Sequence, residues 1–273
     1  MPPQADEATV RLVNAHQSAV AQVRARVESF IRRVWAGLGS YRDADIDRFV
    51  DAVVPVVLAG QRQIAQLTDV YLAAMAAKVF GGPPRPVGVP AEAVTGTALR
   101  GVDPREVYRR PGVTVWTALS EGKSFDEARE EGLARAVLLA LTDLQLARTH
   151  TARSILARDD RVVGHRRTLT GAENCGLCVV ASTQRYHKAD LQPIHPGCDC
   201  GVEPIYGTED PGQVIDPDTL ENVHEVIQER FGVSDRGARD PIDYRKVLTV
   251  REHGELGPVL TVSRHLFTGP NDF

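Results

Sequence analysis

A chain of 273 residues with 42% hydrophobic residues and a mean hydropathy of −0.21 is long enough for one large or two modest domains with a genuine core. Its net charge of −4 and pI near 6.1 exclude a global attraction to nucleic acid. No apolar run approaches the ~20 residues that span a bilayer, and Met1-Pro-Pro-Gln-Ala-Asp-Glu7 has neither the charged nor the apolar region of a secretory signal.

From the N-terminus, Val13, Val20, Val23, Val27, Ile31 and Val34 recur at helical spacing. Gly37-Leu-Gly39 separates this helix from a second stripe, Ile46, Val50, Val53, Val57, Ile64, Leu67, Tyr71 and Met75. Pro55 falls inside that stripe and predicts a kink or break near Val54. Residues 1–80 therefore read as a helical N-terminal part. Two long helices cannot bury both faces alone, so the stripes are expected to pack on each other, on the helix further along or on a partner subunit. With so few other helices evident, a partner surface is the leading expectation. Residues 81–102, rich in Pro and Gly, read as a linker or strap.

Residues 103–160 read as helical again. Asp103-Pro104 has the cap and first-turn proline of a helix start. Ser124-Phe-Asp-Glu127 is a capping box, and Leu133, Val137, Leu141, Leu144 and Ile155 carry its helix to about Arg158. A Cys/His module over 161–206 follows, with strands expected at 161–170 and 201–206. Residues 207–273 are expected to hold a helix over 218–231, a hairpin of strands at 246–250 and 259–263, and a tail. The class is α+β: long N-terminal helices, then a small Cys/His module with short strands, then a C-terminal hairpin. Trp35 and Trp116 read as core or interface residues.

All four cysteines lie in one short stretch, as Cys175-Gly-Leu-Cys178 and then His195-Pro-Gly-Cys198-Asp-Cys200. A Cys-x-x-Cys pair followed by a His/Cys/Cys knot is ligand spacing for a tetrahedral metal. Thiolates and imidazole select zinc or a related soft ion over calcium and magnesium. A labile disulfide is the competing reading, but the chain is far longer than scaffolds that need such staples. A redox pair at Cys175 and Cys178 would open a helix inside a βαβ unit, whereas residues 169–174 read as a loop.

Five candidate ligands for four positions argue for a closed, structural site. Cys175, Cys178 and Cys200 are the expected ligands, while His195 and Cys198 compete for the fourth position. The zinc deaminases require His-x-Glu upstream of Pro-Cys-x-x-Cys. Here no such histidine precedes the pair, and Asn174 stands in place of the proline.

The ordering of a helical lead, an Arg-rich approach, Cys-x-x-Cys, His-Pro-x-Cys-x-Cys and a short proline-containing strand resembles the Mu F-like (phage head morphogenesis) proteins of tailed bacteriophages. The matching residues are Cys175–Cys178 and His195–Cys200. Arg251–Leu260 and Phe267-Thr-Gly-Pro270 also look like minor capsid proteins of actinobacterial phages. The resemblance covers roughly residues 125–273. Asp199 stands where the family often has Arg or Lys, and the stretch Thr168-Leu-Thr-Gly171 lacks the tryptophan that the family often has shortly before the cysteines.

The resemblance implies a minor capsid protein inside the virion head, bound near the portal and made in the host cytoplasm. Its partners would be the portal and capsid proteins, and the packaged DNA is a further candidate. Its role would be procapsid assembly and DNA packaging or delivery, with no membrane involved. The alternative is an enzyme, either a capsid maturation protease or a zinc-dependent nuclease. Ser182, His187 and Asp190 are the only protease-like grouping. Their short spacing reads as a loop cluster rather than a triad.

Arg148, Arg153, Arg158, Arg161, Arg166 and Arg167 form the remaining candidate site, for DNA phosphates or partner carboxylates. The first three are five residues apart and fan around a helix. The simpler expectation is a solvated helix end favoured by the helix dipole.

Overall fold

The computed structural model describes residues 5–169, 176–182, 185–207, 248–253 and 257–262. Most of the described chain is helical: α1 (Glu7–Ala36), α2 (Asp43–Phe80), α3 (Thr97–Arg100), α4 (Pro104–Ser120), α5 (Phe125–Arg158) and α6 (Gly176–Ser182). Strands β1 (Val162–Thr168), β2 (Arg185–His187) and β3 (Gly201–Tyr206) form an antiparallel sheet ordered β2-β1-β3. Strands β4 (Leu248–His253) and β5 (Gly257–Val262) pair antiparallel as a separate hairpin. No described helix is long and apolar enough to cross a membrane.

Contacts divide the chain into two compact units made of interleaved segments. One comprises Met1–Ser18, Thr68–Val87 and Ala152–Phe273; the other comprises Ala19–Leu67 and Gly88–Thr151.

The second unit is all-helical, and its local signals are those of the sequence. Asp103 caps α4 by accepting from the Arg105 N–H, with Pro104 in the first turn. Ser124 and Glu127 close the capping box of α5 in both directions, at 2.9 and 3.3 Å. The helix α2 runs through Pro55 without ending there, which corrects the expected break. Pro55 is exposed, so its ring and its missing N–H fall on the solvent side of the helix.

The apolar stripes are not left open. Val20, Val23, Val27 and Ile31 of α1 and Ile46, Phe49, Val50 and Val53 of α2 are buried in one core with Val107, Tyr108 and Val115 of α4 and with Ala136, Ala140 and Leu144 of α5. The expectation that these stripes form an open partner surface is corrected accordingly. The alternative that the two helices pack on each other and on the helices further along holds instead, with α4 and α5 in the same core. Trp35 is the centrepiece. It meets Phe49 edge-on at 5.0 Å and Tyr41 at 4.9 Å, and its indole N–H donates to the Arg129 carbonyl at 3.1 Å. Gly132 permits this approach, because a Cβ there would lie 2.6 Å from the Trp35 ring and 2.5 Å from Val115.

The Pro/Gly-rich segment is extended only in its first half. Its second half forms a 3-10 turn at Ala91–Ala93 and the short helix α3, with Val94 and Leu99 buried. Arg100 at the end of α3 and Asp143 of α5 form an ion pair of 2.6 Å, with side chains 5% and 7% exposed. The Tyr108 hydroxyl donates to the other oxygen of Asp143 at 2.7 Å. Burial, then the Asp143 charge, pushes the Tyr108 hydroxyl pKa well up, so it stays a donor.

In the first unit, His16 of α1 stacks on Tyr71 of α2 at 4.3 Å, and the Tyr71 hydroxyl donates to the Val202 carbonyl of β3 at 3.0 Å. Phe80 meets Tyr206 edge-on at 5.1 Å and carries the Arg161 guanidinium over its face at 4.4 Å. Both expected strands flanking the metal segment and the expected hairpin are present. The helix expected over 218–231 lies outside the described residues.

Candidate metal centre

Three short elements converge at the cysteines. Cys178 lies in the first turn of α6, with Leu177 and Ala181 buried beside it. A tight turn then carries His195-Pro-Gly-Cys198: the Cys198 N–H bonds back to the His195 carbonyl at 3.2 Å, and Gly197 takes a φ of 75°. Proline followed by a left-handed glycine is the residue order of a type II turn. It explains why this spacing brings the two ends of the knot together. Cys200 follows two residues later and leads directly into β3.

The thiol groups of Cys178, Cys198 and Cys200 all lie within 4.8 Å of one another. The Cys198 sulfur lies 3.1 Å from that of Cys178 and 3.2 Å from that of Cys200. None of the three is in a disulfide. Hydrogen bonds from Cys178, then Cys200, hold the Cys198 thiol well below the ordinary thiol range, against the effect of burial. On Cys200 the Cys178 contact pulls the pKa down, but Cys198 and burial outweigh it and the thiol is raised. One thiolate therefore forms easily, and its charge makes the next one harder to form. A cation among them reverses that penalty.

His195 completes the approach. Its Nε2 lies 3.7 Å from the Cys178 sulfur. Its Nδ1 lies 3.0 Å from the Pro196 carbonyl, which can only accept. The ring proton therefore sits on Nδ1 and the Nε2 lone pair faces the thiols, the tautomer expected of a metal-bound histidine. Zinc–sulfur bonds of about 2.3 Å in a tetrahedron set sulfurs roughly 3.8 Å apart. Spreading the thiols by about 0.6 Å would seat such an ion. Three soft thiols close together, with the borderline imidazole of His195 beside one of them, fit a zinc-like metal. Cys175 lies outside the described residues.

Behind the thiols stands Arg167 of β1, buried at 4% exposure. Its Nη1 donates to the Cys200 sulfur at 3.4 Å and its Nη2 to the Gln192 carbonyl. Burial opposes its charge, but Cys200 and then Tyr186 outweigh this, so its pKa is raised and it stays protonated. Beside it on β1, His165 stacks on Tyr186 at 5.3 Å. Burial first, then the Arg167 charge, lowers the His165 pKa to about 3, so this ring is neutral. Burial pushes Tyr186 up to about 12.

The arginine segment does not form one solvated face. Arg148, Arg166 and Arg167 are buried, and Arg153 is half-buried, with Nη1 3.5 Å from Gln192 Oε1. Arg158 and Arg161 are exposed, and Arg161 is held by Asp159 at 2.8 Å. The expectation of a solvated helix end is corrected for the three buried residues. Sequence reading missed them because a buried arginine, whether in α5 (Arg148) or in β1 (Arg166, Arg167), carries no apolar periodicity. Ser182 is buried in the last turn of α6, while His187 and Asp190 are exposed. Nδ1 of His187 accepts from the Ala189 N–H.

The helix α6 starts at Gly176, while residues 170–174 of the stretch read as a loop lie outside the described residues. The sheet beside α6 is antiparallel, and the helix is not part of a βαβ unit. No family model, no curated protein and no solved structure matches this chain.

Proposed function

We propose that this chain is a non-catalytic assembly protein whose C-terminal module is braced by a structural zinc ion, and that it serves as a minor capsid protein in the head of a tailed phage. The observation that carries the zinc part is the convergence of Cys178, Cys198 and Cys200 within 4.8 Å, with the His195 Nε2 turned toward Cys178. Cys178, Cys198, Cys200 and His195 would hold the ion. What the ion supplies is cross-linking of α6, the His195–Cys198 turn and β3. Four protein ligands leave no open position for a reacting water, which supports a structural role over nuclease chemistry. Ser182 is buried while His187 and Asp190 are exposed, which argues against the protease reading.

The phage assignment rests on the resemblance of Cys175–Cys178 and His195–Cys200 to the Mu F-like pattern. It is tested in purified virus particles made by the genome that carries this chain. Mass spectrometry should find the chain in a few copies per particle, and it should co-purify with the portal after mild disruption. Full particles that lack the chain would contradict the assignment.

A further inference from the structure

We propose that Arg167 is the countercharge of the metal site: without touching the metal, it stabilises Cys200 as a thiolate ligand and cancels the net charge of the donor set. This inference rests on reading the cluster as a metal site.

The argument begins with charge. Three thiolates and a neutral imidazole around a divalent cation leave a net charge of −1. A buried net charge is costly unless it is paired and hydrogen-bonded. Arg167 is the group placed to pair it. It is buried, and its Nη1 lies 3.4 Å from the Cys200 sulfur. One guanidinium brings the whole assembly to neutrality.

Geometry adds a second role. The other arm of the guanidinium, Nη2, donates to the Gln192 carbonyl, three residues before His195. The rigid fork therefore ties β1 both to the segment that delivers His195 and to the last cysteine ligand. Arginine suits this because its donors are fixed in one plane, whereas lysine offers a point charge on a flexible stem. Hydrogen bonds of this kind orient ligands and tune a metal from outside its coordination shell. Arg167 is thus a positioning residue. Its burial also gives it a purpose that the nucleic-acid reading of the arginine segment does not.

The test uses the full chain, with zinc as the probe, competed against a chromophoric chelator. Cobalt substitution adds a spectroscopic readout of the thiolates. Arg167→Gln keeps hydrogen-bonding capacity but removes the charge; Arg167→Lys keeps the charge but removes the fork. Arg167→Gln is expected to bind zinc about 10–100-fold more weakly. Its sulfur-to-cobalt charge-transfer band should move to longer wavelength, because a thiolate without its cation gives up an electron more easily. Arg167→Lys should recover most of the affinity and most of the band position. The proposal is overturned if Arg167→Gln binds as tightly as the parent with an unchanged band, or if Arg167→Lys does no better than Arg167→Gln. Failure of the parent chain itself to bind zinc would overturn the metal reading instead, and this inference with it.

Discussion

Replacing Cys198 with serine is expected to weaken metal binding by a factor of about 100–1,000, equivalent to about 3–4 kcal/mol. Cys198 is the choice because its sulfur lies 3.1 Å from that of Cys178 and 3.2 Å from that of Cys200. Its loss removes a ligand and also a thiol whose neighbours hold its pKa down. An unfolded chain holds no preformed site, so the metal's binding free energy contributes to the folding of the module. Hydrogen exchange should therefore show lost protection in β1, α6 and β3, the elements that the site joins. The helices of the other unit should keep theirs. Trp35 and Trp116, both in that unit, give an independent fluorescence readout of its integrity. Equal metal affinity and equal protection in the Cys198→Ser chain would remove Cys198 from the site.

The second large effect belongs to the helical unit. Asp143→Ala is expected to cost about 3–5 kcal/mol, the range for breaking a buried ion pair from one side. The carboxylate accepts from Arg100 at 2.6 Å and from Tyr108 at 2.7 Å. Deleting it leaves a guanidinium charge in the interior with its neutralising partner gone. The pair also clamps the α3 segment, because Arg100 closes that helix and donates to the Leu139 carbonyl as well. Asp143→Asn keeps an acceptor for Tyr108 while removing the charge and should cost less. By contrast, the exposed pair of Arg105 and Asp51 at 2.5 Å should contribute little, because water screens it. Chemical denaturation followed by Trp35 fluorescence measures all of these. A cost below about 1 kcal/mol for Asp143→Ala would show that the buried pair does not hold this unit together.

Local signals in the sequence were legible where the physics is local. The Ser124–Glu127 box and the Asp103-Pro104 start involve residues one to three positions apart, and both form as read. The strands expected at 161–170 and 201–206, on either side of the cysteines, form over 162–168 and 201–206. What depended on distant packing was not. The stripes of α1 and α2 reveal an apolar face but not what covers it, and α4 and α5 cover it. The strand β2 is three residues long and α6 seven, too short for a period to emerge.

The buried arginines failed for a related reason. Arg148, Arg166 and Arg167 carry the most surface-seeking side chain in the reading, and only their contacts reveal that they are interior. For Arg167 the Cys200 sulfur and the Gln192 carbonyl provide those contacts. Within the metal segment the spacing identified the donors and the chemistry. It could not show that the Pro196-Gly197 turn and α6 bring Cys178, Cys198 and Cys200 together.

The most direct test of the metal-braced module is X-ray absorption at the zinc edge on the full chain, purified with no metal added, together with elemental analysis. The structure leads us to expect about one bound zinc per chain, with three sulfurs near 2.3 Å and one nitrogen at about 2.0–2.1 Å. A four-sulfur shell would put Cys175 in the place of His195 and contradict the ligand set. A chain that carries no metal, with all four thiols open to titration, would contradict the account at its centre.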